Sequence, residues 1–257
     1  MKKAFRIAAG MCVLWASTLL FAQAQSAGGN LAEIHTNRIK PGMTAQYEAA
    51  RKKHMGWHRS QNDAWSWLVY EILTGDHTGS YVVGTFGHNW KDLDAREKFN
   101  ESDSADAMAS MGPYMAAEET SYSLLRPDLS LAPTPSGPPA PLVTVTHFLL
   151  NPDGRNDFMA AVKQVNAGIT KSNFPVVPSR WFELVNGGHS PHFVLVGDRA
   201  NWAAFQPTTD KTLDDMMADV YGKDQGAAIL NSLRKSAHMI YTETLRYRSD
   251  LSYTPGK

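Results

Sequence analysis

The chain has 257 residues, 25 Lys plus Arg against 25 Asp plus Glu, 43% hydrophobic residues and a single cysteine. A balanced charge without a basic cluster excludes the electrostatic footprint of a nucleic-acid binder. One cysteine excludes an internal disulfide and any multi-cysteine zinc or iron–sulfur centre.

The first residues divide into three zones. Lys2, Lys3 and Arg6 form a positive start, Ile7 to Phe21 is apolar and uncharged, and Ala22-Gln23-Ala24 places small residues where a leader is cut. This is the pattern of a secretory signal peptide, 1–24, cleaved after Ala24. The apolar run is shorter than the roughly 20 residues a membrane-spanning helix needs. Cleavage removes three cations and no acid, which leaves 22 Lys plus Arg against 25 Asp plus Glu, a net charge of −3. It also removes Cys12, and with it any thiolate nucleophile. The expectation is an exported protein, periplasmic or secreted, with no nucleic-acid partner and no membrane attachment after cleavage. About 230 residues remain, enough for one large or two small domains.

Beyond the leader, a strand is expected over Glu33 to Ile39, then a Lys40-Pro41-Gly42 turn and a helix from Thr44 to about Gln61. Two β-rich runs, Trp67 to Leu73 and Tyr81 to Phe86, flank a glycine-containing turn. Asn89 reads as a helix N-cap, irregular helical stretches follow, and a last strand is expected near Thr120 to Leu125. The segment Ala132 to Pro141, APTPSGPPAP, carries five prolines and reads as an extended spacer. The series then recurs: strand Val143 to Leu150, turn Asn151-Pro152-Asp153, helix Asn156 to about Ile169, β runs Trp181 to Val185 and Phe193 to Val196, N-cap Asn201, strand Thr242 to Tyr247.

The recurrence extends to residues. Tyr47 and Ala50 face Phe158 and Ala161 at an offset of 111. Tyr70-Glu71-Ile72 faces Phe182-Glu183-Leu184, Tyr81-Val82 faces Phe193-Val194, and Asn89-Trp90 faces Asn201-Trp202, all at an offset of 112. Asp128-Leu129-Ser130 matches Asp250-Leu251-Ser252 at an offset of 122. Collinear matches with small changes of offset indicate a duplication. The expected organisation is a first repeat over 31–131, a linker over 132–141 and a second repeat over 142–254. Each repeat has the order β-α-β-β-α-β, the ferredoxin-like unit.

The strand, the Lys-Pro-Gly turn, the helix with an inward aromatic and the hairpin ending in Asn-Trp resemble the dimeric α/β-barrel superfamily. That group includes antibiotic-biosynthesis monooxygenase-like, NIPSNAP-like and chlorite-dismutase-like proteins. The resemblance implies an α+β fold in which two tandem ferredoxin-like repeats form an intramolecular dimeric α/β barrel, as a monomeric pseudo-dimer or a further homodimer. It diagnoses fold rather than activity. For a haem enzyme of the chlorite-dismutase kind it implies a helical histidine and an arginine, for which His238 and Arg180 or Arg199 stand as nominees. Asn89-Trp90 resembles residues used by cofactor-free monooxygenases of the group, although recurrence as Asn201-Trp202 favours capping and packing.

A duplication is its own control: what both copies keep serves the fold, and what one copy alone carries is a candidate for function. The inward stripe of the second repeat's first helix is Phe158, Ala161, Val165 and Ile169. The first repeat has Tyr47, Ala50, His54 and His58 at those places. His54 and His58 are spaced i, i+4 and so share a helix face. They can supply two ligands to a divalent metal, with His35 as a third. Alternatively they line a polar pocket for a small molecule, one of them acting as a catalytic base in an oxygenase, or they are structural or exposed. Trp67 and Arg38 complete the candidate ligand-binding set with Tyr47 and His35; Arg38 suits an anion. His77 and His189, in matched turns, are expected at the surface. Glu71 and Glu183, matched in strands, are expected to make a shared hydrogen bond or mark a strand edge. No phosphate loop, nucleophile elbow or zinc-protease helix motif is present. The cofactor is none, haem or a divalent metal, and the rival to all of these is a non-catalytic structural or protein-interaction module.

Overall fold

The computed structural model describes residues 28–132 and 137–256. The expected leader and Cys12 lie outside the described residues, as does 133–136 of the spacer. The elements run β1 (Leu31–Ile39), α1 (Thr44–Ser60), β2 (Leu68–Ile72), β3 (Tyr81–His88), α2 (Trp90–Ser110) and β4 (Met115–Leu125). After the spacer come β5 (Leu142–Leu150), α3 (Arg155–Ser172), β6 (Ser179–Asn186), β7 (His192–Arg199), α4 (Leu213–Tyr221), α5 (Lys223–Lys235) and β8 (Ala237–Tyr247).

The eight strands are antiparallel and close into a barrel in the order β1-β3-β2-β8-β5-β7-β6-β4. Within each half the central strand pairs along its length with two neighbours, β1 with β3 and β4, and β5 with β7 and β8. The halves join through two short ladders. Tyr70, Glu71 and Ile72 face Tyr247, Arg246 and Leu245, and Tyr122 to Leu125 run against Phe182 to Asn186. Successive strand residues point to opposite faces. One face of the sheet fills the barrel with Ile72, Val143, Val145 and Leu245, and the other packs against helices.

Each half also lends its tail to the other. Leu129, just after β4, is fully buried in the second half's core with Phe158, Trp181 and Phe193. Leu251, just after β8, is fully buried in the first half's core with Tyr47, Trp67 and Val69. Ser130 Oγ accepts the Trp181 backbone N–H, and Ser252 Oγ accepts that of Val69, at 2.9 Å each. Arg126 forks onto Asp128 and reaches Glu183, while Arg248 forks onto Asp250 and reaches Glu71. The repeated Asp-Leu-Ser and the matched strand glutamates therefore serve one docking, made twice.

Three expectations need correction. The irregular stretches after β3 are one 21-residue helix, α2, begun by Asn89, whose backbone N–H donates to Asp92 at 2.7 Å. β4 and β8 start earlier than expected because each stays paired along its whole length to its half's central strand. That extension puts His238 at an exposed strand start instead of on a helix. No helix among the described residues is long and apolar enough to cross a membrane.

Candidate functional site

The candidate residues gather between α1, α2 and the helix-facing side of β1. α1 starts after a turn in which Gly42, at φ +76°, supplies the left-handed backbone that lets the chain reverse. Its buried face is Tyr47, Arg51, His54, Met55 and His58. The helix ends at Ser60, and two residues on Asn62 adopts φ +52°, a conformation asparagine tolerates better than most residues. That turn brings the Asp63 backbone N–H back to the His58 carbonyl at 3.1 Å and tucks the Asp63 carboxylate beneath the histidine.

Asp63 is completely buried and fully partnered. It accepts from His58 Nδ1 at 2.8 Å, Trp67 Nε1 at 3.1 Å, the Trp65 backbone at 3.0 Å and the Arg96 guanidinium at 2.6 and 2.7 Å. Burial alone would raise its pKa; the bonds from His58, Arg96 and Trp65 outweigh this and hold it well below the carboxylate range. Arg96, from α2, lies between the Trp65 and Phe99 rings, 4.5 and 4.0 Å from their centroids.

His54 and His58 are 2% and 1% exposed, with ring centroids 4.6 Å apart. Each has its Nδ1 on a carboxylate, Asp106 at 2.7 Å for His54 and Asp63 for His58. Each turns its Nε2 toward Asp103 Oδ1, at 3.2 and 3.4 Å respectively. With both Nδ1 atoms donating, two imidazole lone pairs and a carboxylate oxygen face one another, an arrangement that requires a proton or a cation between them. Donors held about 2.0–2.2 Å from one ion lie roughly 2.9–3.4 Å from each other. The two contacts to Asp103 Oδ1 meet that spacing, and all three donor atoms lie within 4.8 Å of one another. Burial pushes the His58 pKa down despite Asp63, which favours the neutral, metal-binding form.

The other expected residues divide. Tyr47 is fully buried, its hydroxyl accepting from Asn37 Nδ2 at 2.9 Å, and burial raises its pKa. Trp67 is buried against Asp63. His35 is not a third ligand, because its nitrogens are taken by Glu33 at 3.0 Å and Glu118 at 3.3 Å. Burial would lower its pKa, but the bonds to Glu118 and Glu33 raise it to about 9, so it is a cation at neutral pH. Arg38 points away to an exposed ion pair with Glu119 and does not line the site. His77 is only half exposed and donates to buried Glu243, so it differs from exposed His189.

Several residues escaped the sequence reading. Arg51 stands opposite Val162 at the same offset of 111, so the comparison that found the histidines also marks it. Asp63, Arg96, Asp103 and Asp106 gave no such signal, since the helices after the second hairpin do not align. A groove of about 440 Å³, lined by Asn62, Asp63, Trp65, His88, Arg96 and Phe99, opens beside the Asp63–Arg96 pair.

No protein-family model matches the chain, and no curated protein matches it. Solved structures are similar. An anthrone oxidase-like protein shares 12% identity at a TM-score of 0.59, over 90% of this chain and 95% of that one. A Fusobacterium nucleatum protein assigned as a monooxygenase shares 9% at 0.52, over 86% and 93%. Chlorite dismutase from Candidatus Nitrospira defluvii shares 9% at 0.50, over 88% and 93%. The chain has the ferredoxin-like α/β fold. At such identity the likeness speaks for architecture alone.

The residues nominated for haem do not fit it. His238 is exposed, with Nδ1 on the Leu150 carbonyl at 3.2 Å. Arg180 is held by Asp198, and Arg199 by Thr144 and the Ala204 carbonyl. The layer between sheet and helices in that half is filled by Phe148, Phe158, Trp181 and Phe193.

Proposed function

We propose that this chain is an exported, divalent-metal-binding protein with small-molecule chemistry of the oxygenase or oxidoreductase kind. Its scaffold is an intramolecular dimeric α/β barrel made by duplication, a reading supported by the reciprocal tail docking and the matching strand orders. The observation that carries the function is the convergence of His54 Nε2, His58 Nε2 and Asp103 Oδ1, with both imidazoles oriented from behind by carboxylates. Two histidines and one carboxylate leave coordination positions open for a substrate or water, the donor set of non-haem iron and of catalytic zinc. Carboxylates behind metal-binding histidines fix the tautomer and strengthen the ligand. The reaction class is taken by analogy from monooxygenase- and oxidase-named proteins that share the architecture. A bound ion there supplies Lewis acidity or redox chemistry; Asp63 and Asp106 hold the imidazoles, and Asp103 brings α2 to the ion.

The test is metal analysis of the mature protein, purified from its native compartment and after incubation with Fe(II), Zn(II) or Co(II). One ion per chain is expected, lost in Asp103→Ala and in His54→Ala plus His58→Ala while the fold persists. A wild-type chain that takes up none of the three ions overturns the proposal. Mass spectrometry of the exported protein checks the cut after Ala24.

A further inference from the structure

Arg51 is 4% exposed, yet among the described residues it has no carboxylate partner. Its Nη1 lies 4.0 Å from Met111 Sδ, and its Nε and Nη2 meet no acceptor. Those two nitrogens form the side-on fork that matches a planar carboxylate. The same edge grips Asp128 from Arg126 at 2.9 Å twice, Glu183 from Arg155 at 2.6 and 3.0 Å, and Asp250 from Arg248 at 2.9 and 3.0 Å. A guanidinium stays charged in a protein interior, where an unpaired charge is strongly unfavourable. The fold does not require this cation, because the matching position in α3 is Val162, an ordinary buried residue.

Its position tells what it serves. Arg51 lies one helical turn before His54 on the same face of α1. Its neighbours place it between α2 and the sheet: Nη1 lies on Met111 at the end of α2, and Tyr47, one helical turn before it, meets Asn37 of β1. Asn37 spends its Nδ2 on the Tyr47 hydroxyl, while its buried Oδ1 has no donor. Glu118, paired in register with Asn37, is exposed and already engaged by His35.

We propose that Arg51 anchors a small organic carboxylate beside the metal, and that Asn37 Oδ1 receives a hydroxyl or other donor of the same molecule. The inference deepens the metal reading and depends on it only for the neighbouring ion. The chemical class it names is a hydroxy-acid or related short carboxylic acid.

The experiment uses acetate, glycolate and the neutral isostere glycolamide as probes, on mature protein with and without Co(II). Thermal melts and titration calorimetry should show stabilisation and binding by the two anions, stronger for glycolate, and none by glycolamide. Arg51→Met should weaken glycolate binding at least about tenfold, the loss expected for a charge-assisted hydrogen-bonded contact. Arg51→Lys, which keeps charge but not the fork, should fall between. Without any anion, Arg51→Met should melt above the wild type, because it removes an unpaired buried charge. A purely structural arginine, including one that Glu118 swings over to pair with, predicts the opposite: a lower melting temperature and no anion effect. That result, or equal anion response in wild type and Arg51→Met, overturns the proposal. Failure of Co(II) uptake with Arg51-dependent glycolate binding intact sinks only the metal reading; a Co(II) spectrum indifferent to both anions, without stabilisation by either, sinks only the anchor.

Discussion

Asp63→Asn tests the reasoning about the site most directly. The substitution keeps the size of the side chain and replaces one acceptor oxygen with an N–H₂ group. Every neighbour of that carboxylate is a donor: His58 Nδ1, Trp67 Nε1, the Trp65 backbone and two guanidinium nitrogens. An amide therefore puts donors against donors on one side and leaves buried Arg96 with only Asp103, at 3.8 Å, as a counter-charge. Each hydrogen bond to a charged group contributes about 1.5–3 kcal/mol, and removing one partner of a buried ion pair costs about 3–5 kcal/mol. We expect a loss of about 3–5 kcal/mol at pH 7, a large share of the roughly 5–15 kcal/mol by which a domain is stable.

The assay is urea unfolding followed by tryptophan fluorescence, where the midpoint falls and the slope stays constant. The pH dependence adds a second constraint. Asp63 has a depressed folded pKa, so its contribution is complete above the unfolded value near 4 and fades as pH falls toward the folded one. The gap between wild type and Asp63→Asn should narrow as pH drops below about 4. Arg96→Met in the Asp63→Asn background should recover part of the loss, since it removes the stranded cation. A loss under about 1 kcal/mol, the range of an exposed pair, would refute the account.

Two further outcomes follow from the same structure. His35, with its pKa raised to about 9 by Glu118 and Glu33, stabilises the fold through its proton; that contribution is whole below about 6.5 and is lost as pH rises through about 9. The urea midpoint of His35→Gln should therefore change less than wild type between pH 6 and pH 10, and an imidazole proton resonance titrating near its ordinary value would contradict it. Leu251→Ala and Leu129→Ala each empty a fully buried site in the opposite half and should each cost about 2–5 kcal/mol; because they lie in different clusters their costs should add in calorimetry, and a combined loss no larger than either alone would count against reciprocal docking.

What the sequence disclosed depended on how local the cause was. The strand and helix order follows from periodicity and turns, and it survives apart from α2 and the early starts of β4 and β8. The replacement of Val165 and Ile169 by His54 and His58 needed only one helix aligned with another, and the structure buries both histidines as that stripe implied. Arg51 opposite Val162 obeys the same logic, on the same buried face one turn before His54. Asp63 depends on a left-handed turn at Asn62, which pattern reading does not anticipate. Asp103 and Asp106 depend on α2 folding back over α1, and in isolation their segment looks like a solvated acidic face. Arg38 failed for a simpler reason: a strand sends alternate side chains to opposite faces, and Glu33, His35 and Asn37 occupy the side facing the helices.

The outer helices explain why such an arrangement persists. In the second half, α4 and α5 dock through Met216, Met217, Ile229 and Leu230, an apolar stripe of the usual kind. α2 has 21 residues and buries only Arg96. Its grip on α1 is Arg96 on Asp63, Asp103 on both histidines and Asp106 on His54. As packing, that exchanges a hydrocarbon contact for charges that must be desolvated, and the twin half shows that hydrocarbon suffices. A cation shared by His54, His58 and Asp103 changes the comparison, because it ties α1 to α2 through coordination and makes the docking of α2 depend on occupancy. The weakly apolar helix and the buried imidazole pair then have one cause.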